Sequence, residues 1–135
     1  MFLISSQFSL KANPRPLFVA NPDLVAPHEQ SFSMEPAYYV SHLIKNGVHL
    51  PFWLGKPFAT IFELAINRLN DLSGRHIRLS RIGMVGDTLH TDILGANSYG
   101  LKSILMTKYG LFKNIDVGSI ISKTNIIPDY IIESP

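Results

Sequence analysis

The sequence is organised around Arg81-Ile82-Gly83-Met84-Val85-Gly86-Asp87-Thr88-Leu89-His90-Thr91-Asp92-Ile93-Leu94-Gly95-Ala96. Residues 82–85 form a short apolar run that is typical of a buried strand, and a glycine ends it. Asp87 follows at once, and a second carboxylate, Asp92, stands five positions later. A capping threonine and further apolar residues then predict a helix that ends near Gly100. The stretch therefore predicts a strand, an acidic loop and a helix, and ligands of open parallel sheets bind where such strands end.

The rest of the chain alternates short apolar runs with segments of helical periodicity. Strands are predicted near residues 17–20, 49–54, 103–107 and 128–132, and residues 24–34 are predicted as a loop that could hold one short strand. Helices are predicted from Pro36 to about residue 45, over 59–69, and near 117–122. One apolar face is expected on the second helix, formed by Ile61, Phe62, Ala65, Ile66 and Leu69. This alternation predicts an α/β fold with crossover connections and a mostly parallel sheet.

Composition narrows the classes of protein. Hydrophobic residues make up 46% and charged residues 16%, against about 25% charged in typical soluble domains, so a large core or a covered apolar surface is expected. A net charge of +2 without a basic run argues against a nucleic-acid partner. The absence of cysteine excludes disulfides and thiolate metal sites. No apolar run reaches the length of a membrane span and no signal peptide is evident. A cytoplasmic protein without a membrane partner is therefore expected.

Two carboxylates and a lysine beside glycine turns suit a hard cation and a phosphate. Magnesium prefers carboxylate oxygens and keeps several waters, so Asp87 and Asp92 could suffice for it. Lys56, within Gly55-Lys56-Pro57, supplies a compact positive charge for phosphate oxygens or for Asp87. Simpler interpretations remain open on spacing alone. A Gly-Asp pair is commonly only a turn, an aspartate favours the positive end of a helix, and a lysine between glycine and proline is ordinarily at the surface.

Three segments together resemble motifs of the haloacid dehalogenase superfamily of phosphatases. Residues 86–96 look like the fourth motif, and Gly55-Lys56-Pro57 with the apolar residues after it is similar to the third. Asn21-Pro22-Asp23, after a strand, resembles the late part of the cap insert in subclass IIA. This subclass includes p-nitrophenyl-phosphatase-like and sugar-phosphatase-like enzymes. The resemblance spans roughly residues 17–132, and three motifs in the right order make it specific.

The resemblance implies a Rossmann-like core and magnesium-assisted phosphoryl transfer from a small phosphorylated molecule to an aspartate. It implies that Asp87 and Asp92 form the metal site, with Asp92 supporting the metal's waters or the lysine. It implies that Lys56 is catalytic and substrate-binding, because it would neutralise the nucleophile and the bound phosphate. Asn21 and Asp23 would belong to a substrate-binding loop.

The sequence departs from the family where the nucleophile should be. The first motif ends in Asp-x-Asp, and no such pattern occurs in this sequence. The chain resembles the C-terminal half of a phosphatase, with residues 1–50 as the remnant of a cap domain and residues 51–135 as half of the core. Because aspartyl-phosphate chemistry needs a positioned carboxylate nucleophile, we expect no efficient turnover by this chain alone.

Three hypotheses follow for what the chain does. One is a split hydrolase that an N-terminal partner chain completes. Another is a non-enzymatic module that binds phosphate ligands or another protein, and a third is the product of a truncated gene. The resemblance also implies that the strand at residues 82–85 pairs with the strand that bears the nucleophile. Because that motif is absent from this sequence, self-association, poor solubility or a partner chain at that edge is expected.

Overall fold

The computed structural model describes residues 8–28, 31–113 and 115–134. The chain divides into two compact units, Met1–Gly55 and Lys56–Pro135. The predicted boundary between a cap remnant and a core half lies at residues 50 and 51, and that assignment of domains stays a prediction. Within the described ranges, no helix is both long enough and apolar enough to cross a membrane.

The first unit contains two small sheets and one long helix. Its elements are β1 (Phe18–Val19), β2 (Val25–Pro27), β3 (Phe32–Met34), α1 (Pro36–Lys45) and β4 (Phe52–Trp53), after a helical segment at residues 8–12. β1 pairs in parallel with β4, and β2 pairs with β3 as an antiparallel hairpin. The sequence predicted a loop with at most one short strand over residues 24–34. The hairpin was missed because the residues between its strands carry no glycine turn signal and the pairing partner is not visible in a local pattern.

Helix α1 begins and ends as the sequence predicts. Proline occupies its first turn, where the missing N–H has no helical acceptor, and Gly47 after its end has a φ of +82°. Leu43 on this helix packs with Leu10 and Val48 in the buried core of the unit. Tyr39 on the same helix is 42% exposed.

The second unit consists of one parallel sheet with flanking helices. Its regular elements are α2 (Ala59–Ser73), β5 (Gly83–Gly86), α3 (Leu94–Tyr99), β6 (Lys102–Met106), α4 (Val117–Thr124) and β7 (Tyr130–Ile132). Short 3-10 turns cover Leu79–Arg81 and Gly110–Phe112, and a π-helical turn, Leu89–Ile93, leads into α3. The strand order is β5-β6-β7, with both pairings parallel. The predicted α/β fold with a parallel sheet and flanking helices is confirmed.

One face of this sheet is better covered than the other. Ser103 and Leu105 of β6 are fully buried, and Met84 of β5 packs against the cluster that contains Phe62. On the opposite face Val85 is 49% exposed. The sequence predicted a buried strand at residues 82–85, and this is wrong for Val85. The reason is that, among the described residues, β5 is an edge strand, and the sheet face that carries Val85 is only half covered, whereas both faces of a parallel sheet are normally buried.

Helix α2 is longer than predicted and less buried. It continues to Ser73, and Gly74 ends it in the left-handed conformation with a φ of +64°. Of the five residues on its predicted apolar face, only Phe62 and Ile66 are buried. The other three, Ile61, Ala65 and Leu69, are exposed. Periodicity identifies an apolar face correctly, but it cannot tell how much of that face finds a neighbour.

The amino ends of β6 and β7 are joined through Asp129. Its Oδ1 accepts a hydrogen bond from Lys102 Nζ at 2.8 Å, and its Oδ2 accepts one from the buried Ser103 N–H at 2.9 Å. The Lys102 ammonium, and then the Ser103 amide, hold the pKa of Asp129 below its usual value.

This network predicts a pH-dependent stability. A carboxyl group whose pKa is lower in the folded chain stabilises the fold above its unfolded pKa of about 3.9 and loses that contribution as the pH falls through the folded value. We expect Asp129→Asn to lower the urea midpoint at neutral pH, and the difference from the natural chain to shrink on acidification below pH 4 or so. Equal midpoints for the two proteins at neutral pH would contradict this role of Asp129.

Candidate functional site

The site is built on an ion pair between Lys56 and Asp92. Lys56 lies three residues before the start of α2 and is joined to Pro57 by a cis peptide bond. Its side chain reaches Asp92 in the π-helical turn. Its Nζ lies 2.5 Å from Asp92 Oδ1. The Asp92 side chain is 3% exposed and that of Lys56 is 40% exposed. A buried carboxylate therefore holds the end of a lysine whose other side faces solvent.

The second oxygen of Asp92 is also occupied. Its Oδ2 accepts a hydrogen bond from the backbone N–H of Thr88 at 3.2 Å, at the start of the helical turn. Gly86, the last residue of β5, lies so close that a Cβ there would overlap the Asp92 carboxylate. The carboxylate is thus fixed by a cation, a backbone donor and the end of the strand. The sequence predicted a helix cap at Thr88 or Thr91, and neither is formed: the Thr88 side chain makes no capping hydrogen bond, and Thr91 lies inside the π-helical turn.

Asp87 lies beside this pair, at the carboxyl end of β5. It is only partly buried, and its Oδ1 accepts a long hydrogen bond of 3.4 Å from Thr88 Oγ1. Gly110, in the turn after β6, approaches the other oxygen, and a Cβ at that glycine would overlap the carboxylate. The ion pairs found in the described part of the chain are Lys56–Asp92 and Lys102–Asp129, so neither includes Asp87.

The predicted site residues Lys56, Asp87 and Asp92 therefore lie together at the carboxyl end of β5. Thr88 hydrogen-bonds both aspartates, and Lys56 forms an ion pair with Asp92. Spacing alone suggested that Lys56 could lie beside Asp87, whereas its ion pair is with Asp92. The resemblance had already named Asp92 as a support for the lysine. The parts played by Gly86 and Gly110 were not predicted, because a glycine in a turn gives no sign of which distant side chain it will touch.

Asn21 and Asp23 belong to the first unit and form a turn there. The Asp23 N–H donates to Asn21 Oδ1 at 2.9 Å, and Asn21 Nδ2 donates to Glu35 Oε2 at 3.2 Å. This is the local side-chain-to-backbone bond that asparagine commonly makes in turns. The substrate contacts of Asn21 and Asp23 stay a prediction.

The donor set fits a magnesium ion only in part. No group of three or more His, Cys, Asp or Glu residues that could hold a metal occurs among residues 8–28, 31–113 and 115–134. Magnesium can bind through one or two carboxylates and several waters, so a dedicated cluster is not required. Asp87 is suited to this, because neither ion pair neutralises it. Asp92 is less suited, because both of its oxygens already accept hydrogen bonds.

A parallel sheet with flanking helices, and an acidic loop at the carboxyl end of a strand, define a Rossmann-like α/β protein. Comparison with known families then identifies the family. The model of the HAD-hydrolase-like family matches residues 53–134, and the chain belongs to that family. Enzymes of this family typically use Mg²⁺. The predicted resemblance to haloacid dehalogenase phosphatases is thereby confirmed.

Several known proteins are similar to the chain over part of their length. Human glycerol-3-phosphate phosphatase is 34% identical over 85 residues, which cover 60% of this chain and 25% of that protein. A possible sugar phosphatase from Cytophaga hutchinsonii has a TM-score of 0.82 and 29% identity, covering 98% of this chain and 46% of its own. The p-nitrophenyl phosphatase from Archaeoglobus fulgidus, at 20% identity and a TM-score of 0.77, shares the fold over 48% of its length. The chain therefore spans about half of these structures, or less.

Proposed function

We propose that this chain is the C-terminal portion of a magnesium-dependent phosphatase that acts on a small phosphate ester. The observation that carries the proposal is the Lys56–Asp92 ion pair beside Asp87 at the carboxyl end of β5. Membership of the HAD-hydrolase-like family supports it. The name of the human relative, a glycerol-3-phosphate phosphatase, supports a small phosphorylated substrate.

Each residue has a distinct part in this proposal. Asp87 holds the cation, and Mg²⁺ when bound neutralises charge on the phosphate oxygens. Lys56 has three N–H donors, of which one serves Asp92, so the remaining donors can reach a phosphate oxygen or the nucleophile. Asp92 positions that ammonium through the ion pair, in which only the carboxylate is buried. Asn21 and Asp23 are proposed to contact the substrate from the first unit.

A nucleophile must come from outside this sequence. No Asp-x-Asp occurs in it, and phosphoryl transfer to a carboxylate needs one that is free and positioned. Asp92 is buried and bound to Lys56, and Asp87 is assigned to the metal. We therefore propose that a second polypeptide segment brings the Asp-x-Asp. Its strand would add in parallel to β5, whose far side is unpaired in the described part of the sheet.

The test is reconstitution. The chain is mixed or co-expressed with the N-terminal half of the Cytophaga hutchinsonii relative, the part outside the matched region, and magnesium-dependent hydrolysis of p-nitrophenyl phosphate is measured. We expect turnover approaching the enzymatic range of about 1–10³ s⁻¹ in the mixture, lost in Asp87→Ala. The chain alone is expected to be no faster than its own Asp87→Ala variant.

Two results would overturn parts of the proposal. Turnover by the chain alone that Asp87→Ala abolishes would show that the nucleophile lies in this sequence. A complex that forms but stays inactive would argue against a phosphatase and for a protein-binding module, which the exposed Val85 on the edge strand also fits. The cytoplasmic location stays a prediction.

A further inference from the structure

The turn after β6 is held in place by contacts on both sides of Gly110. Before it, the Thr107 N–H donates to Ile132 O and the Lys108 N–H donates to Glu133 O, both at 3.0 Å. After it, the ring of Phe112 is buried in the core cluster with Leu89, Ile93 and Leu105. Because the turn is held by hydrogen bonds on one side and by a buried ring on the other, Gly110 cannot easily move away from what it touches.

The group that Gly110 touches is the carboxylate of Asp87. A Cβ built on Gly110 would overlap Oδ2, Cγ and Cβ of that aspartate. The other oxygen, Oδ1, accepts from Thr88 Oγ1. The side chain is therefore confined between its own neighbour in sequence and the bare backbone of a turn that belongs to a different strand.

We infer that Gly110 is a positioning residue for Asp87. Its lack of a side chain lets the turn close on the carboxylate, and this contact fixes the direction in which Asp87 presents an oxygen to a cation. The inference rests on the proposed function for the role of Asp87. The contact itself does not, and the two can be tested separately.

A simpler explanation is that Gly110 is required only by its backbone angle. Its φ is +74°, where a side chain is strained in any surroundings. Gly100 provides a matched control within the same unit, because its φ is +73° and nothing lies within 4 Å of a Cβ built on it. Gly100→Ala carries the backbone strain alone, and Gly110→Ala carries the strain together with the overlap on Asp87.

The contact is tested by urea unfolding of Gly110→Ala, Gly100→Ala and Asp87→Ala, with each glycine variant also combined with Asp87→Ala. We expect Gly110→Ala to reduce the folding equilibrium constant roughly tenfold more than Gly100→Ala, as for a methyl group forced into a filled site. Asp87→Ala removes the overlapping Oδ2 and Cγ and keeps only the more distant Cβ, so it should remove most of that excess in the double variant and leave the effect of Gly100→Ala unchanged. If Gly110→Ala fails to fold, refolding of the double variant gives the same information. Additive effects in both pairs would overturn the inference.

The positioning role is tested by Mn²⁺ titration of the full chain, in which the free ion is followed by electron paramagnetic resonance. Mn²⁺ binding is expected for the natural chain and for Gly100→Ala, and roughly tenfold weaker binding for Gly110→Ala and Asp87→Ala. Unchanged binding by Gly110→Ala, with the Asp87 variant impaired, would overturn the positioning role. Binding that Asp87→Ala leaves unchanged would instead overturn the proposed metal role of Asp87, while the unfolding data still decide on the contact.

Discussion

Lys56→Met is expected to lower the free energy of unfolding by about 2–3 kcal/mol, because it leaves the Asp92 carboxylate buried without its cation. Removing one partner of a fully buried ion pair costs about 3–5 kcal/mol. The value here should be smaller, since the Lys56 side chain is 40% exposed while that of Asp92 is only 3% exposed. Water can therefore reach the lysine side of the pair and compensate part of the loss.

The reverse variant, Asp92→Asn, should cost less, about 1–2 kcal/mol. The asparagine oxygen can still accept the Thr88 N–H, and the partly exposed Lys56 keeps access to water. Urea unfolding of both variants at neutral pH measures the difference, with Lys102→Met at the more exposed second ion pair as a control expected to cost less than Lys56→Met. A larger loss for Asp92→Asn than for Lys56→Met would mean that the lysine, and not the aspartate, is the group that depends on the pair.

The Lys56–Asp92 ion pair shows which features of the site can be predicted from the sequence and which cannot. The sequence predicted that Lys56, Asp87 and Asp92 lie at one end of a parallel sheet, from the strand, the acidic loop and the order of the motifs. The choice of Asp92 as the partner of Lys56 depends on how α2 crosses back over the sheet, and spacing along the chain does not contain that information. The contact between Gly110 and Asp87 is set in the same non-local way.

Burial was predicted less well than topology. The helices and strands of the second unit were expected close to their observed positions, because apolar periodicity and glycine stops are local signals. Ile61, Leu69 and Val85 were expected to be buried, and all three are exposed. An apolar pattern shows which face of a helix or strand is hydrophobic. It does not show whether another part of this chain packs against that face.

Self-association is the other large effect that we expect, and it follows from the exposed face and the free edge of β5. In the described part of the chain β5 pairs only with β6. Glycines stand at both ends of the strand, and Arg81 is the nearest charge before it. The opposite edge, β7, is better protected, since Pro128 and Asp129 precede it and Glu133 follows it. We therefore expect the purified chain to associate through β5, in an equilibrium that shifts with concentration.

A single charge on the edge should suppress this association. Val85→Lys is the variant of choice, because Val85 is 49% exposed and Met84 packs against the core. Ile131→Lys is the matched control on β7, where the isoleucine is 55% exposed. Light scattering after size exclusion, over a dilution series, should show the mass falling toward 15.1 kDa for Val85→Lys at concentrations where the natural chain and Ile131→Lys remain associated. A natural chain that stays monomeric at high concentration and unfolds cooperatively would exclude this use of the edge.

The edge also links association to the proposed activity. The free side of β5 can pair with one strand at a time, so a second copy and a segment that carries the Asp-x-Asp strand compete for it. Addition of the N-terminal segment should therefore dissociate the self-associated form as hydrolysis appears. Both changes should depend in the same way on the concentration of the added segment. Val85→Lys should weaken both together, because the lysine opposes any strand that adds to this edge. If the variant prevented self-association and left reconstituted turnover unchanged, the nucleophile strand would have to dock elsewhere than on β5.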